Sequence, residues 1–155
     1  YPPSGIRGVA SGRATEYGDE FKEYVESANG SITTIIQIET QTGLDNVEEI
    51  AAVDGIGAVF VGPADLSANL GVFAEWDNSQ LTSAIETVVD TCTETGTPVG
   101  TLTLNPDDIA MRVEQGFDFL IVGKDTTHLS SANESIRQRY ERAVSKNAET
   151  STAED

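Results

Sequence analysis

Two carboxylates stand where β-branched runs of the chain end, and they are the strongest candidates for chemistry in this sequence. Glu39 ends the run 33–39, and Asp65 comes just after the run 58–62. Neither has a histidine or cysteine near it in the sequence, so the pair would offer a cation only hard oxygen ligands. Oxygen ligands favour Mg²⁺ or Mn²⁺ over Zn²⁺. The sequence therefore predicts a divalent-metal site if folding brings Glu39 and Asp65 together.

Each carboxylate also has an ordinary structural explanation. A carboxylate at the end of a buried strand must be paired or bound to a metal, because an isolated buried charge is costly. Glu39 could therefore form a salt bridge with Arg7 or Arg13. Asp65 or Ser67 could cap the turn that follows its strand, as Asp and Ser often do.

Further candidates surround these two residues or follow other strands. Gln37 is predicted on the same face as Glu39, because side chains alternate along a strand. Ala64 lies in a turn of small residues, whose backbone N–H groups can hold a carboxylate. His128 could act as a general base, although a histidine on the surface or at a helix cap is the commoner case. Cys92 lies on the apolar face of a predicted helix and is expected in the core.

Strands and helices that alternate along the chain must position these residues. The predicted strands are 33–39, 58–62, 98–103 and 117–122. The predicted helices are 16–28, 45–53, 79–95, 106–115 and 132–146. Such alternation indicates βαβ units and a parallel sheet, and strands with continuous apolar character indicate burial on both faces. In parallel α/β folds the chemistry lies at the carboxyl ends of the strands, where Glu39 and Asp65 are expected.

Local signals mark several helix ends. Asn105 is a predicted N-cap, because proline and two acids follow it. Gly96 and Gly116 occupy predicted C-cap positions. Asp45 and Glu48 have the spacing of a capping box. Residues 147–155 are polar and acidic without apolar periodicity, which predicts a disordered tail after a single domain over 1–146.

Composition limits the classes of partner. The chain has 155 residues, with 9 Lys+Arg against 26 Asp+Glu and a net charge of −17. This charge should repel nucleic acids and anionic membranes. No apolar run is long enough to span a bilayer, and no secretory signal is visible, which favours a cytoplasmic protein. An acidic excess with few lysines also predicts a salt-rich cytoplasm, and the alternative is an ordinary acidic protein of a mesophile.

Several stretches resemble the HpcH/HpaI aldolase/citrate lyase family, especially its 2-oxo-3-deoxy acid aldolases. The matching stretches are YPPSGIRG at 1–8, QIET at 37–40, VDGIGAVFVGPADLSANLG at 53–71 and GFDFLIVGKDTTHL at 116–129. The combination of QIET and GPADLS at this separation is fairly specific.

The resemblance implies a (β/α)8 TIM barrel of the phosphoenolpyruvate/pyruvate type and a metal-dependent aldol cleavage of 4-hydroxy-2-oxo acids. Glu39 and Asp65 would bind Mg²⁺ or Mn²⁺. Gln37 would contact the 2-oxo acid substrate, and the Ala64 N–H, with Asp65 close by, would help to hold its carboxylate. Leu102 would line the acceptor side. The family resemblance also suggests a homo-oligomer.

The length departs from that family. A (β/α)8 barrel typically needs about 250 residues, so four strands correspond to the second half, and a first residue other than Met suggests a fragment. The family's catalytic His–Asp pair and its pyruvate-binding Arg come from the first half, so the catalytic base is unassigned in this sequence. Two alternatives stay open: a malyl-CoA or citramalyl-CoA lyase of the same superfamily, and a catalytically inactive half-barrel that serves binding or assembly.

Overall fold

The computed structural model describes the backbone of residues 1–152 and the side chains of residues 1–146. Within them, four parallel strands form a sheet in the order β1-β2-β3-β4. The strands are Ile35–Ile38 (β1), Ala58–Val61 (β2), Val99–Thr103 (β3) and Phe119–Val122 (β4). The helices are Phe21–Ser31 (α1), Gln41–Asp45 (α2), Val47–Ala51 (α3), Pro63–Asn69 (α4), Ser79–Thr95 (α5), Ile109–Glu114 (α6) and Asp125–Thr152 (α7). Two 3-10 helices span Arg13–Gly18 and Pro106–Asp108.

Helix α5 shows how local signals and packing agree. The Asn78 side chain accepts a hydrogen bond from the Gln80 N–H at 2.9 Å and begins the helix. Gly96 ends it with a φ of 72°, a left-handed conformation that glycine adopts easily. The buried side chains between them recur every three or four residues, as expected for one helical face: Leu81, Ala84, Ile85, Val88, Val89 and Cys92. Both ends match the predicted helix 79–95.

The two faces of the sheet have different surroundings. One face carries Ile38, Val59, Val61 and Val99, all at most 1% exposed, and it contributes to a hydrophobic core shared with α5. On the opposite face the Phe60 and Phe119 rings lie 6.1 Å apart and are only partly buried. The helices of the described residues pack against the first face, so this second face is only partly buried, whereas the sequence predicted burial on both.

The helix after β1 differs from its prediction. The structure has α2 and α3 in place of one helix over 45–53, and Asn46 between them has a non-helical φ of −113°. Thr40 caps α2 by accepting a hydrogen bond from the Gly43 N–H at 3.0 Å. The predicted capping box of Asp45 and Glu48 is therefore wrong: Asp45 ends α2, so it cannot begin the next helix.

Several other helix ends can be compared with their predictions. Residues 63–69, where no helix was predicted, form α4, and Pro63 stands at its first position, where a missing N–H costs nothing. Asn105 caps the 3-10 helix by accepting from the Asp107 N–H, as predicted. Helix α7 begins at Asp125 instead of 132. The backbone of residues 147–152, predicted as part of a disordered tail, continues α7, and residues 153–155 lie outside the described part of the chain.

Candidate metal and substrate site

The carboxyl end of β1 carries the first half of the candidate site. Gln37 and Glu39 share one face of the strand, as predicted, because the Gln37 side-chain Nε2 donates a hydrogen bond to Glu39 Oε2 at 2.7 Å. Ile38 points to the other face and is 1% exposed. Glu39 is half-buried and Gln37 is exposed. The Glu39 carboxylate is thus oriented by a neutral amide and stays open to solvent.

The end of β2 lies directly against these two side chains. The Gly62 N–H donates to the Ile38 carbonyl at 3.1 Å, which continues the parallel pairing of β1 with β2. A Cβ at position 62 would collide with the Gln37 side-chain amide and would lie 3.3 Å from Glu39 Cβ. Gly62 therefore allows the backbone that leads into α4 to pass close to Glu39.

Helix α4 carries Asp65 as its third residue. Gly62 holds the N-cap position, and the Ser67 hydroxyl donates to the Ala64 carbonyl at 2.8 Å inside the helix. The suggestion that Asp65 or Ser67 caps this turn is therefore wrong. The Asp65 side chain is exposed, and Ala64 lies in the first turn, where helical N–H groups have no partner within the helix. Asp65 thus follows the end of β2, next to the end of β1 that carries Glu39.

The charges around Glu39 leave it available to a cation. Within the described part of the chain, no ion pair joins Glu39 to Arg7 or Arg13, so that structural alternative is not realised. The Arg7 guanidinium instead lies over the Tyr1 ring, 5.4 Å from its centroid. Oxygen ligands that are not neutralised by an arginine suit a hard divalent cation.

The donor set is small. Among the described residues no group of three or more His, Cys, Asp or Glu side chains could hold a metal. Two carboxylates are nevertheless what Mg²⁺ commonly takes from a protein, with water or substrate oxygens completing its octahedron. Glu39 and Asp65 would therefore suit a Mg²⁺ or Mn²⁺ ion and would leave coordination positions for other oxygen ligands.

His128 and Cys92 lie outside this site. His128 is an exposed residue of α7, and a Cβ on Gly123 would collide with its Nε2 atom. It follows β4, three strands from β1, which corresponds to about 14 Å across a sheet. Cys92 is fully buried, as predicted, and burial, with a smaller contribution from the charge of Asp118, raises the pKa of its thiol to about 11.

One residue near the site was missed in the sequence. The Asn69 side-chain Oδ1 accepts a hydrogen bond from the Gln41 N–H at 2.6 Å. Asn69 stands four residues after Asp65, on the same face of a helix. The spacing of four residues is present in the sequence. It places Asn69 beside Asp65 only if residues 63–69 form a helix, and no helix was predicted there.

Comparison with known proteins shows the family to which the chain belongs. The family model of the HpcH/HpaI aldolase/citrate lyases matches residues 1–132, and the chain belongs to this family. A 2-dehydro-3,6-dideoxy-6-sulfogluconate aldolase of Pseudomonas putida is 40% identical over 136 residues, which cover 86% of this chain and 53% of that protein. A 4-hydroxy-2-oxo-heptane-1,7-dioate aldolase of Escherichia coli is 37% identical over 142 residues, covering 90% and 54%.

The fold is also that of the family. A crystal structure of an HpcH/HpaI aldolase/citrate lyase family protein from Burkholderia cenocepacia superposes with a TM-score of 0.81 at 32% identity, over 90% of this chain and 54% of that one. The chain spans about half the length of the curated relatives it matches. Its four parallel strands accordingly form half of a TIM-type barrel, as expected from the sequence. Among the helices of the described residues, none has the length and apolar character needed to cross a membrane.

Proposed function

We propose that this chain supplies the metal-binding half of an aldolase that cleaves 4-hydroxy-2-oxo acids to pyruvate and an aldehyde. The observation that carries the proposal is the placement of Glu39 and Asp65 at the ends of two paired parallel strands. The similarity to aldolases of 2-oxo-3-deoxy acid type supports the substrate class. The arginines of this sequence are not gathered near the strand ends, so nothing favours a CoA thioester as substrate.

Each residue of the site has a distinct part in this proposal. Glu39 and Asp65 would hold Mg²⁺ or Mn²⁺, and such a cation supplies Lewis-acid stabilisation where enolate charge develops. Gln37 keeps Glu39 in place through its 2.7 Å hydrogen bond and faces the space where a 2-oxo acid would lie. The Ala64 N–H at the start of α4 would bind the substrate carboxylate, helped by the positive end of the helix dipole.

Proton transfer has no assigned residue in this half of the barrel. His128 is the single histidine of the sequence, and it lies beyond β4, far from Glu39 in the strand order. General acid–base catalysis typically contributes roughly 10²–10⁴-fold to an enzymatic rate. We therefore expect the 155-residue chain to bind Mn²⁺ weakly and to cleave little or no substrate by itself.

Two measurements test the proposal. The first is Mn²⁺ binding to the 155-residue chain, followed by electron paramagnetic resonance. Asp65→Asn should abolish this binding, whereas Asp90→Asn, the same change of charge on the exposed side of α5, should preserve it. Equal binding by the two variants would show that Asp65 is not a ligand.

The second measurement is pyruvate release, coupled to lactate dehydrogenase, by the chain extended with the first half of the barrel. Asp65→Asn should abolish turnover, and His128→Ala should leave most of it. Loss of turnover in His128→Ala, with activity retained in Asp65→Asn, would refute the assignment of roles.

We also propose that copies of the chain associate. Helix α7 exposes large apolar side chains along one side, at Leu129 and, on three successive turns, at Ile136, Tyr140 and Val144, and apolar patches of this kind mark protein interfaces. Light scattering should report an oligomer for the unaltered chain and a smaller species for Ile136→Glu. A monomer in both cases would contradict the proposal.

A further inference from the structure

The segment that carries Glu39 is held in place on two sides. On one side the Ile38 carbonyl, just before Glu39, accepts the Gly62 N–H at 3.1 Å. On the other side Thr40 caps α2, accepting from Gly43 and from the Leu44 N–H. These bonds fix the backbone of Glu39 against β2 and α2, and the first of them also holds Gly62, the N-cap residue of the helix that carries Asp65.

A side chain joins the other end of α4 to the start of α2. Asn69, the last residue of α4, accepts the Gln41 N–H at 2.6 Å, across 28 residues of sequence. Gln41 is the first residue of α2 and stands two residues after Glu39. Its N–H is one that helix geometry leaves without an intrahelical partner, so Asn69 satisfies it. Asn69 and Asp65 are four residues apart on α4, so the bond lies one helical turn from Asp65.

We propose that Asn69 is a positioning residue for the carboxylate pair, because its bond to the Gln41 N–H sets the separation between Glu39 and Asp65. The inference rests on the proposed function, since it gives a role to a residue that touches neither metal nor substrate. A cation bound by two carboxylates from different elements gains affinity when their separation is set before it binds. Without the bond, α4 and the start of α2 can move apart, and part of the binding free energy is then used to bring the carboxylates together.

The bond can be removed from either end. Asn69→Ala deletes the acceptor of an exposed side chain. Gln41→Pro deletes the donor, and the backbone tolerates this change. Proline is favoured at the first position of a helix, and Thr40 before it has φ −136° and ψ 157°, the extended conformation that a residue before proline adopts.

The matched control is Gln41→Ala. The Gln41 side chain also donates to Asp45 Oδ1 at 2.7 Å, and both Gln41→Pro and Gln41→Ala lose that contact. Only Gln41→Pro loses the backbone N–H. A second control, Asn105→Ala, removes an amide oxygen that accepts a backbone N–H at a different helix start.

The experiment measures the Mn²⁺ dissociation constant of the 155-residue chain and these variants, with thermal unfolding as a check of folding. Asn69→Ala and Gln41→Pro should each raise the dissociation constant about two- to tenfold, the range that follows from the net contribution of one hydrogen bond. The double variant should be no weaker than either single variant, because both remove the same bond. Gln41→Ala and Asn105→Ala should bind Mn²⁺ as the unaltered chain does.

Other outcomes overturn the inference. Asn69→Ala with unchanged affinity, losses that multiply in the double variant, or equal losses in Gln41→Ala and Gln41→Pro would each show that the bond does not position the carboxylates. Failure of the proposed function would give a different result in the same experiment. In that case the unaltered chain binds Mn²⁺ no better than a Glu39→Gln, Asp65→Asn double variant, and the metal site itself is refuted together with the role of Asn69.

Discussion

The free energy of unfolding of this protein should fall as the pH rises above about 8, and replacing Cys92 by alanine should make that fall smaller. Cys92 is fully buried beneath the sheet, and burial, with a smaller contribution from Asp118, raises its thiol pKa from 9.0 to about 11. The folded state therefore keeps the proton at pH values where the unfolded state has released it. Stability is fully present below the unfolded pKa and is lost as the pH rises through the folded pKa.

The two pKa values give the size of this effect. Each pH unit between them corresponds to about 1.4 kcal/mol, so the complete loss is bounded at about 2.7 kcal/mol. Between about pH 8 and about pH 10 the same linkage lowers the free energy of unfolding by about 1.3 kcal/mol.

Urea unfolding of the unaltered chain and of Cys92→Ala at several pH values isolates the contribution of the Cys92 thiol to the free energy of unfolding. All other ionisable groups are common to both proteins, so their contributions cancel in the difference. Cys92→Ala should be less stable than the unaltered chain at about pH 8, because it leaves a small cavity. The difference in free energy of unfolding between the two proteins should become smaller as the pH rises. A gap that stays constant from about pH 8 to about pH 10 would refute the assignment of a raised pKa to Cys92.

Three further predictions concern folding and charge. The thermal midpoint should rise as KCl increases from about 0.1 M to about 2 M, because salt screens the repulsion within a chain of net charge −17; an unchanged midpoint would argue against a salt-rich environment. Gly96→Ala should cost about 1 kcal/mol in urea unfolding, since its φ is 72°. By contrast Gly30→Ala, at an α1 position where nothing lies within 4 Å of a new Cβ, should be neutral or stabilising. A Gly30→Ala variant less stable than Gly96→Ala would contradict both of these predictions. Asn105→Ala should lower stability by about 1 kcal/mol through loss of a cap, and circular dichroism melts that match the unaltered chain would disprove it.

Much of the fold could be predicted because its signals are local. The apolar period and the two capping residues of α5 are complete within about twenty positions of sequence, and both helix ends were predicted correctly. The shared face of Gln37 and Glu39 follows from strand alternation alone and is confirmed by their hydrogen bond. One local signal misled the prediction: Asp45 and Glu48 have the spacing of a capping box, but the helix that follows β1 is capped by Thr40.

The amino-acid sequence by itself therefore determined the α/β class, the strands, the pair of carboxylates and the family. Only the tertiary structure decided what surrounds that pair. It laid Gly62 against Gln37 and Glu39, joined Asn69 to Gln41, and left the sheet face of Phe60 partly uncovered. The physical reason is that each of these contacts joins elements far apart along the chain, and their meeting depends on strand order and helix packing, which no short window of sequence contains.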